Sequence, residues 1–396
     1  MKKNKYLFLI LFLLNLFNYI DRQVLYAVFP LLQNDLHLTD WQLGTLASAF
    51  MAVYMCYAPL TGYLADRSSR PKWIQASALL WSTATLLCAG AKNFAMLLCT
   101  RGLTGVGEGG FTTVAQPFLA EHYPKAKHAN VLAVFGLALP LGSAVGYVLG
   151  GVIGQHWGWK AAFMCVAIPG FVLALLSGQL KDESHRSREK TPHWKEYRAL
   201  LQNKPFLYIC LTQAMITFLM GGCAAWMPTY LVRYVHIDTT QAGALFGGLL
   251  IAAGAVGTWL GGKLAEYLLA KTPKAYYLIM AFALMGCLPF MGAGLWAKSL
   301  GGMLVCFSAV IVLLFLPTGA ISAALIDTTA PTVRSMAFAV NIFIIHLLGD
   351  AISPTLIGTL SSFYQLRSAL LAAGLVTIPG LYFCYLAQKY HTLQKY

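Results

Sequence analysis

The chain has 396 residues, of which 58% are hydrophobic and only 11% charged, and its formal net charge is +14. Soluble domains carry about 25% charged residues, so this composition excludes a globular protein that is surrounded by water. The positive charge needs no nucleic acid partner, because most lysines and arginines lie in short segments between apolar stretches, where they can face anionic lipid headgroups. We therefore predict an integral membrane protein, with the lipid bilayer as its solvent.

Twelve apolar stretches follow one another along the chain, and each is close to the 20 or so helical residues that cross a bilayer. In chain order the predicted spans are 6–31, 41–65, 73–90, 94–120, 129–154, 160–180, 206–231, 240–265, 275–296, 300–326, 336–360 and 366–386. The predicted fold class is all-α integral membrane, with twelve transmembrane helices in two six-helix bundles. An even number of spans places both termini on the same side.

The distribution of lysine and arginine predicts which side that is. Cytoplasmic segments of membrane proteins are enriched in these residues. If both termini are cytoplasmic, most of the basic residues face the cytoplasm. The few that then face outward are Lys92, Lys160, Arg233, Lys298 and Arg367. We therefore expect a multi-pass protein with both termini cytoplasmic.

A polar segment at 181–204 separates the two halves and predicts a cytoplasmic linker, with a short helix around 194–201. The N-terminal bundle is then 1–180 and the C-terminal bundle is 205–396. The halves resemble each other faintly. His37-Leu38 matches His236-Ile237 at an offset of 199, and the segment 62–66 matches 262–266 at an offset of 200. Internal repeats of this kind are typical of transporters.

The loop between spans two and three contains Asp66, Arg67 and Arg70 in the sequence G-Y-L-A-D-R-S-S-R. It resembles the signature loop of the major facilitator superfamily. A carboxylate at Asp66 can face the N-terminus of a neighbouring helix, where the macrodipole favours negative charge. In the architecture that this resemblance implies, the neighbour is the start of span eleven, at 332–335. The resemblance then implies that the loop is a gate that stabilises the outward-open state.

Four ionisable residues fall inside spans one and four, where such residues are costly and mark functional sites: Asp21, Arg22, Arg101 and Glu108. At 1.5 Å per residue, Asp21 lies about 22 Å from the inner end of span one and Arg101 about 10 Å from the outer end of span four. In a core about 30 Å thick these depths nearly coincide. The sequence therefore allows an Asp21–Arg101 pair.

Glu108 lies in the glycine-rich stretch 102–110, whose G-x-G pattern follows no strand and so does not predict dinucleotide binding. Glycines permit close helix approach and leave the glutamate uncrowded. Desolvation favours the protonated form of a carboxylate, as a proton carrier requires. A permanently ion-paired, structural Glu108 is the alternative.

Span eleven carries His346 and Asp350, which are one helical turn apart and can interact. Both fall near the middle of the membrane. We expect the pair to face a cavity. It is also the only candidate for an intramembrane catalytic or metal site, but its own helix offers no further ligands, so we predict neither an enzyme nor a metal site.

Five motifs together resemble the Spinster family of major facilitator transporters: N-Y-I-D-R at 18–22, A-P-L-T-G-Y-L-A-D-R at 58–67, G-V-G-E at 105–108, the glycine-rich 142–147 and H-L-L-G-D-A-I-S-P at 346–354. The resemblance implies proton-linked export of lipids such as lysophospholipids and sphingosine phosphate. It also implies that Asp21 and Glu108 respond to protons, that Arg22 and Arg101 contact a headgroup or a gate, and that His346 contacts the cavity.

The predicted function is a secondary active transporter that works by alternating access. We expect it to be proton-coupled and to move an amphiphilic anionic or zwitterionic solute, such as a lysophospholipid-like lipid. An organic-anion symporter or a multidrug exporter of the same superfamily is the alternative, and a receptor is disfavoured because no large soluble domain is present. We expect no cofactor, a monomer, and a bacterial inner (plasma) membrane, which the short termini favour.

Overall fold

The computed structural model describes residues 2–65, 67–124, 127–180, 194–330 and 333–394, and within these ranges the chain is helical without a strand. The helices are Lys2–Ala27 and Phe29–Leu36 (span one), Asp40–Ala65 (two), Arg70–Ala89 (three), Phe94–Glu121 (four), His128–Gly136 and Ala138–Ser177 (five and six), Trp194–Gln202, Lys204–Tyr230 (seven), Thr239–Leu269 (eight), Ala275–Leu295 (nine), Leu300–Phe315 and Thr318–Asp327 (ten), Arg334–Ile345 and Ser353–Phe363 (eleven), and Leu366–Gly374 and Thr377–Gln394 (twelve).

Nine runs of helix in the described ranges are long and apolar enough to cross a membrane. One of them, Val134–Ser177, contains two predicted spans, because 44 residues of helix measure about 66 Å and the hydrocarbon core only about 30 Å. Gly158, at φ 84°, breaks this run in two. The helices Arg70–Ala89 and Phe94–Glu121 are more polar in composition and supply the two remaining spans. All twelve predicted spans are therefore present as helices.

Most of the interruptions within spans lie just before a proline. Proline lacks the N–H that would bond to the carbonyl four residues earlier, and its ring clashes with that turn. Spans one, five, ten, eleven and twelve are interrupted in this way, ahead of or at Pro30, Pro140, Pro317, Pro354 and Pro379. In span eleven the interruption is a π-helical turn, His346–Asp350, which places both ionisable residues of the predicted span 336–360 at the break.

The internal repeat is visible in the backbone. Among the described non-glycine residues, only His37 and His236 have positive φ, at 51° and 59°. Both end a helix in the left-handed conformation, and they are the two histidines that the sequence repeat aligns. Spans one and seven therefore end in the same turn, which supports two structurally related halves.

Contacts divide the chain into two compact units, Met1–Ser187 with Ala224–Gly248 and Arg188–Cys223 with Leu249–Tyr396. The core of the first unit includes Leu11, Ile74, Trp81, Phe111 and Phe118, and the second contains a smaller cluster of Ile279, Ala283, Leu316 and Ala320. The two halves at 1–180 and 205–396 stay a prediction. Of the predicted linker 181–204, residues 181–193 lie outside the described ranges, and the expected short helix is Trp194–Gln202.

Candidate functional site

The predicted ion pair between spans one and four is present. Nη1 of Arg101 lies 3.0 Å from Oδ1 of Asp21, and both side chains are fully buried. Thr85 of span three donates a second hydrogen bond to the Asp21 carboxylate, at Oδ2. The buried Asp21 carboxylate thus balances the charge of the buried Arg101 guanidinium. This pairing is needed because an unpaired charge is costly in the low dielectric of the membrane interior.

A second ion pair, which the sequence analysis missed, lies beside the first. Nε of Arg22 is 2.6 Å from Oε2 of Glu108, and its Nη2 donates to Oδ1 of Asn18 at 3.2 Å. Side chains on a helix tilt toward its N-terminus, so Arg22 reaches back along span one to the level of Glu108, about two turns below Arg101 on span four. This directional rule is the signal that would have predicted the pair.

Aromatic rings surround the Arg22 guanidinium. Its Cζ lies 5.1 Å from the ring centroid of Tyr19, 5.2 Å from that of Phe50 and 4.7 Å from that of Tyr54. Cation–π attraction of this kind is worth more where the cation is desolvated. Arg22 is therefore stabilised by two different kinds of partner, a carboxylate and the faces of three rings, and it is 12% exposed.

Several polar atoms of this cluster are buried without a hydrogen-bond partner among the described residues. They are Oε1 of Glu108, Nε of Arg101 and Nδ2 of Asn18. Buried polar atoms are normally paired, so each exception needs an explanation. The Glu108 carboxylate has one oxygen bound by Arg22 and one oxygen able to accept a proton.

The glycines of span four bring its backbone against spans two and three, as the sequence predicts. A Cβ on Gly105 would lie 2.5 Å from the carbonyl oxygen of Phe50, and one on Gly109 would lie 2.8 Å from that of Tyr54. On another face, a Cβ on Gly107 would lie 2.6 Å from the backbone nitrogen of Trp81. Glu108 lies between these contacts, so the close packing fixes its position.

We expect Gly105→Ala to destabilise the protein by about 1 to 3 kcal/mol, the usual cost of overpacking a core. The added methyl group would collide with backbone atoms of Phe50, which cannot turn aside. Gly102→Ala, on the same helix, is the matched control, because its nearest neighbour is Cγ2 of Val53 at 3.8 Å. Thermal unfolding in detergent measures both, and equal melting temperatures would contradict the packing argument.

The predicted pair on span eleven also forms. Nδ1 of His346 lies 2.9 Å from Oδ1 of Asp350, across the π-helical turn. The two side chains are 23% and 20% exposed, so neither is sealed in the protein interior. Close by, Nδ2 of Asn341 donates to Oε1 of Gln213 at 2.9 Å and joins span eleven to span seven. No group of three metal-ligating side chains occurs among the residues searched, which are those that the structure describes.

Known proteins similar to this chain match it over most of its length. The family model described as Major Facilitator Superfamily matches residues 11–341. Protein spinster of Drosophila melanogaster is 32% identical over 89% of this chain and 61% of its own length, so the chain spans less than two thirds of that relative. Protein spinster homolog 1 of Xenopus tropicalis is 30% identical, over 90% of this chain and 73% of its own.

The chain belongs to the Spinster family of the major facilitator superfamily. The sphingosine-1-phosphate transporter SPNS2 of Xenopus tropicalis is 29% identical over 89% of this chain and 72% of its own. A crystal structure of a bacterial homolog to the human lysosomal transporter Spinster, described as inward-facing and unoccupied, superposes with a TM-score of 0.89. The superposition covers 98% of this chain and 97% of the other at 22% identity, and it confirms the fold. The chain is therefore a multi-pass membrane transporter of the Spinster type.

The predicted gating loop of this Spinster-family chain is only partly described. Asp66 and residues 331–332 lie outside the described ranges, so the proposed contact of Asp66 with the start of span eleven stays a prediction. Arg70 forms an ion pair with Glu121 at the end of span four. Arg67 packs its guanidinium over the ring of Tyr63, with Cζ 3.5 Å from the centroid. Both of these contacts lie at the ends of spans two to four and not in the intramembrane cluster.

The structure of this Spinster-family chain adds a cluster at the end of the helices that carries residues 32–40, 155–160 and 232–239. We name this the outer end, after the orientation that the sequence predicts. Nη1 of Arg233 lies 2.7 Å from Oδ2 of Asp40, and its Nη2 lies 2.7 Å from Oε1 of Gln33. Gln33 in turn donates to Oδ1 of Asp40 at 3.0 Å. The sequence analysis missed this cluster. The repeat was the available signal, because Gln33 and Arg233 are 200 residues apart, within one residue of the offset of 199 that aligns His37 with His236.

Proposed function

We propose that this Spinster-family transporter is a proton-coupled secondary active transporter that works by alternating access. Its solute is an amphiphilic anion or zwitterion, such as a lysophospholipid-like lipid. The proposal rests on one observation, which is that two buried ion pairs, Arg101–Asp21 and Arg22–Glu108, join spans one and four.

The charge balance of this cluster links a proton to an anion. Two carboxylates and two guanidinium groups give no net charge, and a net charge in a low-dielectric site is costly. A proton on Glu108 removes the counter-ion of Arg22 and leaves one positive charge. An anionic headgroup at Arg22 restores neutrality. A bound proton therefore favours binding of the anionic headgroup, and a bound headgroup favours binding of the proton to the same degree.

An amphiphile suits this arrangement better than a fully polar solute. The rings of Tyr19, Phe50 and Tyr54 line Arg22 and offer apolar surface beside the cation. Among the relatives, SPNS2 carries the name of a sphingosine-1-phosphate transporter, and that solute joins a phosphate to an apolar chain. We extend this chemical class to the present chain without naming an individual lipid.

The proton role is tested by Glu108→Gln in proteoliposomes with an imposed pH gradient. Glutamine keeps the shape and a hydrogen-bond acceptor for Arg22 but cannot exchange a proton. We expect uptake of a fluorescent lysophospholipid to lose its dependence on the pH gradient and to fall at least about tenfold, or 1.4 kcal/mol in the barrier. Glu266→Gln, at a carboxylate that is 73% exposed, is the matched control and should behave as the unmodified protein.

Two results would overturn parts of the proposal. If Glu108→Gln transports at the normal rate with the normal pH dependence, Glu108 carries no proton and its ion pair is structural. If small organic anions abolish lysolipid uptake at equal concentration, the amphiphilic solute is wrong and an organic-anion symporter is the better description.

The proposed location is the bacterial inner (plasma) membrane, with both termini cytoplasmic and the proton gradient as driving force. The bias of lysine and arginine toward one set of loops supports this orientation. We expect a C-terminal green fluorescent protein fusion to fluoresce, and a C-terminal alkaline phosphatase fusion to be inactive. The reverse pattern would place the C-terminus outside.

A further inference from the structure

The outer end of the first unit contains a cavity that the proposed transport cycle does not use. Its volume is about 490 Å³, and its polar and aromatic lining consists of Asn34, Asp35, Trp157, Trp159 and Lys160. Asp35 lies 13 residues beyond Arg22, or about 20 Å along helical chain. The cavity is therefore separate from the buried ion pairs, and its size falls within the range of ligand-binding pockets, about 300 to 1,000 Å³.

The turn between spans five and six shapes this cavity. Gly158 has φ 84°, a conformation that side-chain-bearing residues rarely adopt, and it sends the tryptophans on either side of it in different directions. Trp159 is buried and donates from Nε1 to Oδ2 of Asp35 at 2.8 Å. Trp157 is 70% exposed and lines the cavity mouth.

Two opposite charges line the cavity without neutralising each other. Nζ of Lys160 lies 5.3 Å from the centroid of the Trp159 ring, and the same ring system is hydrogen-bonded to Asp35. Within the part of the chain that the structure describes, neither Asp35 nor Lys160 takes part in an ion pair. The Trp159 side chain thus contacts both a carboxylate and an ammonium group that line one cavity.

The cavity lies at the level along the helices where lipid headgroups are expected. Residues 31–35 and 157–160 lie where apolar spans end, and tryptophans concentrate at this level of membrane proteins. A large exposed indole such as Trp157 is amphipathic and suits the boundary between headgroups and acyl chains. A lipid in the bilayer beside this cavity would therefore enter it with its headgroup and not with its acyl chains.

We propose that this cavity binds the headgroup of a zwitterionic phospholipid from the outer leaflet of the surrounding membrane. The phosphate accepts a charge-assisted hydrogen bond from Lys160. The ammonium group of the lipid lies against the Asp35 carboxylate and the exposed face of Trp157, where cation–π attraction adds to the ion pair. An anionic lipid would satisfy Lys160 but bring no ammonium group to offset the negative charge of Asp35, so the site discriminates by the net charge of the headgroup.

The test is native mass spectrometry of the full chain in detergent, with phosphatidylethanolamine and phosphatidylglycerol of identical acyl chains. We expect the unmodified protein to retain one phosphatidylethanolamine more tightly than phosphatidylglycerol. Lys160→Gln should weaken both lipids about tenfold. Asp35→Asn should weaken phosphatidylethanolamine and strengthen phosphatidylglycerol, which inverts the preference. Asparagine still offers an oxygen to Nε1 of Trp159, so the turn is preserved.

Matched controls are Lys92→Gln and Asp238→Asn, which change exposed charges elsewhere at the outer end. Their lipid preference should equal that of the unmodified protein.

The proposal is overturned if Asp35→Asn leaves the ratio of the two lipids unchanged, or if the controls alter it as much. It is also overturned if lysophosphatidylethanolamine binds while the two-chain lipid does not, because the occupant is then a solute and not a membrane lipid. Equal melting temperatures of all variants confirm that each one is folded.

Discussion

Arg101→Met is expected to abolish transport and to lower the free energy of unfolding by about 3 to 5 kcal/mol. The substitution removes the charged partner of Asp21 in a fully buried site and leaves the hydroxyl of Thr85 as the remaining donor to its carboxylate. A single hydroxyl cannot offset the desolvation of a carboxylate. Denaturant or thermal unfolding in detergent, monitored by intrinsic tryptophan fluorescence, measures the stability loss.

The double variant Asp21→Asn/Arg101→Met separates stability from function. Replacing a whole buried ion pair by neutral groups is often neutral or stabilising, so we expect most of the lost stability to return. Transport should stay at background, because the proposed function rests on both buried ion pairs and the double variant lacks one of them. A double variant that transports normally would show that the Asp21–Arg101 pair serves only packing.

The stability control is Lys263→Gln, which breaks an ion pair between two largely exposed side chains, Lys263 and Glu266. Exposed pairs contribute about 0 to 1 kcal/mol. A loss as large as that of Arg101→Met would mean that the assay reports general charge effects and not the buried pair.

Residue counts along a span predict the depth of a residue in the membrane but not the direction in which its side chain extends. Residue counts along two antiparallel helices were enough to place Asp21 opposite Arg101. They missed the contact of Arg22 with Glu108, because a long side chain shifts its charged end by several ångströms from its own Cα. The glycines of span four were interpreted correctly as contact points, since only close helix approach explains so many of them in one span.

Hydropathy along the sequence could not predict where helices break or which distant segments contact each other. An apolar window remains apolar across Pro317 or Pro354, so each predicted span was drawn as one continuous helix. The contact between Asp40 and Arg233 joins residues 193 positions apart, each of which lies beside a loop in the sequence. The repeat offset of 199 to 200 does not align these two residues, and hydropathy gives no other signal that links them.

Arg233→Gln is expected to open the outer end of the transporter and to shift the balance of its two conformations about tenfold, or 1.4 kcal/mol. In the proposed alternating-access cycle the predicted halves 1–180 and 205–396 separate at this end once per turnover, and the bonds from Arg233 to Asp40 and Gln33 then break. Glutamine keeps one polar contact but loses the two-pronged bond to the carboxylate. Distances between spin labels at Lys92→Cys and Lys298→Cys, in a variant without the nine native cysteines, report the shift.

Exchanging the two charges tests whether the closed outer end depends on the ion pair or on the identity of each residue. Asp40→Arg/Arg233→Asp restores a pair of opposite charges and should return the distance distribution most of the way to that of the unmodified protein. Arg233→Lys should give an intermediate result, because an ammonium group cannot bind both carboxylate oxygens in the fork geometry of arginine. If Arg233→Gln leaves the distances unchanged while uptake falls, the cluster does not hold the outer end closed, and Arg233 acts on the solute itself. A gate requires the conformational shift and the loss of uptake to appear together and to be reversed together.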